Sequence, residues 1–309
     1  MTFKRRIIDE LETVGGRHDE PEIYSGAPGD PGLAGGPASM SWEINGDMAS
    51  LAVGGSAAII MEVLHPSVMA GVFEQSSYRT EPIQRAQNTL GYVLRTTFGT
   101  TAAATRVIER VKKVHSHING TRPDGVPYRA LDPELIAWVH TCIPWAVMNA
   151  FDRYCRPLTT DEKDRYLAEQ AVIGRMGGAE WVPETTAELD DYVGRMQPKM
   201  SMNEQTRSFI AFLGGDTGDA DAASTRKQIE GRLGLRGSMS LMPDWARHLT
   251  GTYHPWLAQQ VYFDHANRLQ ARVVRWAYPE PPCKRLALDR CAAGPASTGE
   301  ASRSLDVAS

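Results

Sequence analysis

The sequence predicts an all-α protein, and three features carry that prediction. Apolar residues recur at spacings of three and four over much of the chain. Helix starts are well marked. Alternating strand-like runs bounded by turns are nearly absent. The 309 residues suffice to bury a large core, as one big helical domain or two small ones.

In chain order, residues 1–13 form a charged amphipathic helix with Lys4, Arg5 and Arg6, without the apolar core of a signal peptide. Residues 15–39 are rich in Gly, Pro and Asp and read as an extended arm or loop, so 1–40 are assigned to a helix and arm. Dense helical patterning runs from 41 to 154. Its longest apolar stretch, 48–64, contains Gly54, Gly55 and Glu62. It is too short and interrupted to span a bilayer, which takes about 20 apolar residues, and reads as a buried helix. Asn119-Gly120 supplies a stop for the helix over 101–119. Asp132 before Pro133 opens a helix to about Arg153, which Pro144 should kink or split. Thr159 with Glu162, and Thr185 with Glu188, have capping-box spacing in a second helical block over 158–213. Residues 214–223 read as a flexible connector, followed by two or three helices reaching about Tyr278. The run Pro279-Glu280-Pro281-Pro282 ends the last of them. The helical domain is therefore assigned to 41–278, and 279–309 to a tail expected to be disordered.

A composition of 42% hydrophobic and 23% charged residues is that of an ordinary globular protein. With a net charge of −4 and no dense Lys/Arg stripe, nucleic acid is not an expected partner. Cys142, Cys155, Cys283 and Cys291 form no CxxC pair, which argues against a zinc ribbon or dithiol centre. Without a CxxCH, any haem would be held non-covalently. Scattered cysteines and no membrane-spanning stretch read as a cytoplasmic protein, and surface apolar stretches allow a homodimer. No nucleophile elbow, P-loop, dinucleotide fingerprint or HExxH is present.

The helix over 101–119 is the most informative for chemistry. Its apolar stripe is Ile108, Val111, Val114 and Ile118, and His115 falls on it. At about 100° per residue, His117 turns roughly 160° away, so the HxH pair cannot serve one metal. A neutral imidazole among aliphatic residues suits an iron in a dry pocket. A core histidine satisfied by a carbonyl fits the same periodicity. Arg85 and Thr89 share a helix face with Tyr92. That face presents a guanidinium to a carboxylate such as a haem propionate, or is merely solvated. Glu62 and His65 form a single ExxH, the spacing of helical di-iron proteins, which need it twice with two further glutamates. Pro66 also ends that helix directly after His65. Trp138, Cys142 and Trp145 share one side of their helix and read as core or pocket wall, with His140 off that side.

Four segments together resemble a known family, the bacterial rubber oxygenases (latex clearing protein) and MpaB-type oxygenases. They are Gly54-Gly55-Ser56-Ala57 leading to His65-Pro66; Arg85-Ala86-Gln87-Asn88-Thr89; Val111-Lys112-Lys113-Val114-His115; and Pro123-Asp124-Gly125-Val126-Pro127-Tyr128 followed by Asp132-Pro133-Glu134-Leu135. The resemblance runs over 42–154 and more loosely to 278. It implies a haem b in a globin-like helical core with additional packed helices. His115 is then the axial iron ligand, and Arg85 and Thr89 lie near the haem as catalytic candidates. Glu74 is the possible counterpart of the family's catalytic glutamate. Arg85, Tyr92 and Trp138 join His115 as cofactor-binding candidates, with Phe73 as further pocket wall. The rubber-cleaving members place a lysine at the position of Asn88, and arginines where this chain has Lys112 and Asn119. These departures argue against rubber cleavage and a lysine-capped resting state.

The resemblance implies a haem-dependent oxygenase using dioxygen or peroxide on a small hydrophobic substrate, with an electron donor where monooxygenation requires one. Natural-product tailoring and oxidative C=C cleavage both fit. The competing readings are a non-haem di-iron oxygenase, a haem sensor or carrier without turnover, and a helical interaction protein without a cofactor.

Overall fold

The computed structural model describes residues 2–215, 235–253 and 263–293. The architecture is all-α apart from one small hairpin. The helices are α1 (Phe3–Gly15), α2 (Pro21–Tyr24), α3 (Met40–Ile44), α4 (Met48–Val63), α5 (Pro66–Gln75), α6 (Pro82–Phe98) and α7 (Thr101–His115). After the hairpin β1 (Asn119–Thr121) and β2 (Pro127–Arg129) come α8 (Pro133–Tyr154), α9 (Thr160–Gly177) and α10 (Thr186–Met196). A 3₁₀ turn, Gln197–Lys199, leads to α11 (Glu204–Leu213). The remaining described helices are α12 (Asp244–Leu249), α13 (His265–Ala277) and α14 (Pro282–Ala292).

α4 is the core helix. Its longest contact is with α8, and α5 and α13 pack against it as well. Small residues let the two long helices approach closely. A Cβ added to Gly54 would lie 2.7 Å from the Val147 Cα and 2.8 Å from the Ala146 carbonyl oxygen. Ala57, Ala58, Ala146 and Ala150 are also buried. The stretch read as a buried helix is therefore one. Among the described residues no single helix is long and apolar enough to cross a membrane.

Caps were legible. Asp132 accepts from Glu134 N to open α8, and Thr159 with Glu162 closes a full capping box on α9. Thr185 accepts from Glu188 N, whereas the Glu188 carboxylate accepts from Glu184 N instead of closing its box. Pro144 neither splits nor ends α8, which runs unbroken through it. The proline removes only one ladder bond, and burial of Thr141, Cys142, Ala146 and Val147 around it holds the helix together.

Three expectations are corrected. First, the helix before Asn119 ends at His115, and residues 119–121 pair antiparallel with 127–129, Gly120 opposite Tyr128. Gly125, at φ +85°, makes the turn. Second, the stretch over 15–39 read as an arm or loop contains the short helix α2 and packs into the core, with Tyr24 and Ala34 fully buried. Third, the folded chain continues past the proline run. Pro282 starts α14 at the N1 position, where its missing N–H costs nothing. Arg290 on α14 donates to the carbonyls of Tyr24, Asp30 and Phe98, tying arm, α6 and α14 together. The rest of the expected tail, 294–309, and residues 216–223 of the expected connector lie outside the described residues.

Three substitutions test this arrangement. Gly54→Ala should lower unfolding stability by about 1–3 kcal/mol in urea denaturation, because backbone atoms across the seam cannot yield. Gly55→Ala next to it should raise stability by roughly 0.5–1 kcal/mol, because its Cβ meets nothing within 4 Å and alanine favours helix. Equal effects at both positions would refute the close approach. Arg290→Ala should cost about 2–4 kcal/mol by stranding buried carbonyls, and should open residues 25–39 to proteolysis.

Candidate active site

Because one side of α4 is committed to α8, the opposite side is left for other work. Ala52, Gly55, Ser56, Ile59 and Glu62 recur there at helical spacing, and all are exposed or half-buried although α4 lies in the core. α6 and α7 pack against each other, but no comparable seam joins either of them to α4. Ile59 on this side packs against the cluster of Val63, Met69, Tyr78 and Phe209, while Glu62 lies within reach of the Arg85 charge on α6.

Arg85 of α6 is exposed and donates from Nη1 to Thr89 Oγ1 at 3.1 Å, while Thr89 Oγ1 donates to the Arg85 carbonyl at 3.0 Å. The sequence pairing of these two residues is therefore physical. The Arg85 charge reaches two other helices. It pulls the Glu62 carboxyl down against the larger effect of burial, which pushes it up to about 7. It also adds to the burial that holds the His115 imidazole below its ordinary value. Glu62, Arg85 and His115 thus share one electrostatic neighbourhood. Tyr92 continues the Arg85–Thr89 face one turn on, and burial pushes its hydroxyl up to about 12.

His115, half-buried at the end of α7, differs from other histidines in how its ring is used. His18 bonds the Gly15 carbonyl, His140 the Gln170 carbonyl at 2.8 Å, and His248 the Asp244 carbonyl. His65 Nδ1 accepts from Ser67 N, and His117, exposed, bonds the Lys113 carbonyl. Neither ring nitrogen of His115 has a hydrogen-bond partner among the described residues, and neither the Tyr92 hydroxyl nor the Glu62 carboxyl has one. A core histidine satisfied by a carbonyl is what His140 is, and what His115 is not.

Other candidates are placed elsewhere. Trp138 is fully buried and donates from Nε1 to the Glu62 carbonyl at 3.3 Å. It braces α4 from behind and has no surface to offer a ligand. Phe73 lies under the Arg79 guanidinium in a separate small cluster with Val63, Met69 and Tyr78. Glu74 accepts from the Tyr128 hydroxyl at 2.7 Å, so it is occupied in holding the hairpin to α5. Asn88 accepts from Gln84, and Lys112 pairs with Glu109. Val114, expected on the inward stripe, is 54% exposed; the residues of α7 that reach the core are Ala103, Ala104 and Ile108. His65 lines a different cavity of about 480 Å³ with Arg122, Glu134 and Lys199, and burial lowers its imidazole to about 4. Glu62 and His65 are therefore turned to different surroundings.

The residue that sequence reasoning missed at this site is Glu62, which it had linked only to His65. The available signal was the stripe Ala52, Gly55, Ser56, Ile59, Glu62, a run of mostly small residues ending in a carboxylate.

Residues 42–278 match the family described as ER-bound oxygenase mpaB/B'/rubber oxygenase, catalytic domain. The chain belongs to this oxygenase family. The matched span of the oxygenase domain runs from α3 to just past α13 and contains Glu62, Arg85, Thr89, Tyr92 and His115, while α1, α2 and α14 flank it. The chain also resembles two uncharacterized mycobacterial proteins, Mb2261 of Mycobacterium bovis and Rv2237 of Mycobacterium tuberculosis. Each is 24% identical over 162 residues, covering 50% of this chain and 63% of the relative. No solved structure matches the chain.

The raised Glu62 carboxyl has a thermodynamic signature. A carboxyl whose folded value is about 7, against an ordinary 4.5, stabilises the fold below pH 4.5 relative to high pH, and this contribution is lost as pH rises through 7. With its partial exposure discounted, the loss should be on the order of 1–2 kcal/mol between pH 5 and 8. Glu62→Gln should flatten that slope in thermal melts of the cofactor-free protein. A wild-type slope unchanged in the variant would show the carboxyl to be solvated.

Proposed function

We propose that this member of the oxygenase family works through a haem b seated between α4 and the α6–α7 pair, with His115 as its protein ligand, acting on a small hydrophobic substrate. The observation that carries the reading is the half-buried, neutral His115 ring with no protein partner, in the electrostatic field of Arg85. The donor set fits that group. A neutral imidazole with its one in-plane lone pair unbonded suits iron, and a guanidinium whose hydrogen-bond partner is a threonine suits a propionate. Ala52 and Gly55, small and partly exposed on α4, leave room for the flat apolar face of a porphyrin. When bound, a haem supplies redox-active iron at which dioxygen or peroxide is activated.

The chain's own residues supply the remainder. Burial and Arg85 keep the imidazole deprotonated at neutral pH, the form able to bind a metal. Glu62, pushed to about 7, is poised to hold or accept a proton at its carboxyl near neutral pH, which is where a general acid or base is most effective. The Tyr92 hydroxyl stays protonated and can donate. The apolar positions of α4 limit water and favour a substrate without charge. Asn88 in place of the rubber enzymes' lysine leaves no side chain there to cap the metal, so a solvent-exchangeable position is expected.

A di-iron centre is less well supported. His65 spends Nδ1 as the N-cap of α5, and among the described residues no group of three His, Cys, Asp or Glu side chains is arranged to hold a metal ion.

Absorption spectra of protein produced with haem supplied should show a Soret band for wild type that is lost or strongly shifted in His115→Ala. His65→Ala and His140→Ala should keep it, and Arg85→Ala should weaken haem retention by roughly tenfold. An unaltered spectrum in His115→Ala defeats the assignment, and two irons per chain without a Soret band favours the di-iron alternative. Oxygen uptake dependent on a hydrophobic substrate, with a reductant present, separates an oxygenase from a haem carrier.

A further inference from the structure

Three of the most exposed large apolar side chains in the described chain share one face, and their surroundings are cationic. Phe3 is 66% exposed, Leu269 62% and Trp276 56%. The Phe3 and Trp276 rings stack with centroids 6.5 Å apart, and Lys4 Nζ lies 5.6 Å from the Trp276 ring centre. Leu269, Arg272 and Trp276 follow one another at spacings of three and four along the outer face of α13. The inner face of that helix is fully used: Ala271, Val274 and Ala277 are in the core, and Arg275 pairs with Asp47. On α1, Phe3, Arg6 and Glu10 are exposed at the same spacing, and Arg5 is paired with Asp9. Lys4 and Arg6 on α1, and Arg268 and Arg272 on α13, are all exposed on the two helices that carry the aromatic pair, and Glu10 is the exposed acid beside them on α1. The whole chain, by contrast, carries a net charge of −4.

We propose that the α1–α13 face docks on an anionic phospholipid surface, with the Phe3 and Trp276 rings entering the headgroup layer. Indole and phenyl rings favour that layer, and lysine and arginine beside them meet lipid phosphates. Self-association through this patch is disfavoured, because a two-fold contact would set these cations against their own copies. The proposal does not depend on the haem reading. It concerns a surface made by α1 and α13, not the residues around Arg85.

The test is co-sedimentation of the full chain with vesicles of phosphatidylcholine alone or of equimolar phosphatidylcholine and phosphatidylglycerol. Binding to the anionic vesicles at low salt is expected, at least about tenfold stronger than to the neutral ones, and strongly reduced near 0.5 M salt. The double variant Phe3→Ala/Trp276→Ala should lose most of that binding, and Lys4→Glu/Arg272→Glu should abolish the preference for anionic lipid. Both should melt like wild type, since the altered side chains are largely exposed. Absence of binding to anionic vesicles at low salt overturns the proposal, as does retention of wild-type binding by folded variants. A dimer or a captured acidic protein that disappears in the aromatic variant, without vesicle binding, overturns it too. A normal Soret band in both variants would keep this result separate from the fate of the haem reading.

Discussion

The close approach of α4 to α8 is the constraint on which the rest of the structure depends. Gly54 admits the α8 backbone where any side chain would collide with it, and the alanines around it extend the contact. Once that side of the core helix is committed, helical geometry decides what its opposite side must be. Ala52, Gly55, Ile59 and Glu62 turn away from the seam together. The adjacent glycines thus do opposite things: Gly54 removes bulk so that protein can approach, and Gly55 removes bulk where no protein atom approaches.

The Arg85 charge links three helices without a direct contact between their side chains. Arg85 is bonded to Thr89 on its own helix, yet its field reaches Glu62 on α4 and His115 on α7. The two respond in complementary ways. Burial raises the carboxyl and lowers the imidazole, which favours the uncharged form of both. His18, His65, His117, His140 and His248 show the contrast, because each has a ring nitrogen committed to a backbone group. Trp138 and Glu74, both attractive from sequence, serve instead to brace α4 and to anchor the hairpin.

Much of the fold was legible because local rules govern it. The caps at Asp132 and Thr159 follow from short-range hydrogen bonding, and the apolar run over 48–64 from its composition. The Arg85–Thr89 pair follows from spacing along one helix. The hairpin was not legible, since each strand has three residues and gives little alternation to read. α14 was hidden behind prolines that start a helix as readily as they end one, and its burial depends on carbonyls more than 190 residues away in sequence.

The sequence by itself determined the helical class, most helix starts and the family-like segments that single out Arg85, Thr89 and His115. Periodicity placed His115 near an inward stripe but left open whether a carbonyl satisfied its ring. Tertiary structure alone decided that it has no such partner, that the Arg85 charge acts on Glu62 while Glu74 is bonded to Tyr128, and that Trp138 is fully buried against the Glu62 carbonyl. The reason is physical. Hydrogen-bond satisfaction and electrostatic proximity are properties of what surrounds a side chain, and here those surroundings come from helices distant in sequence.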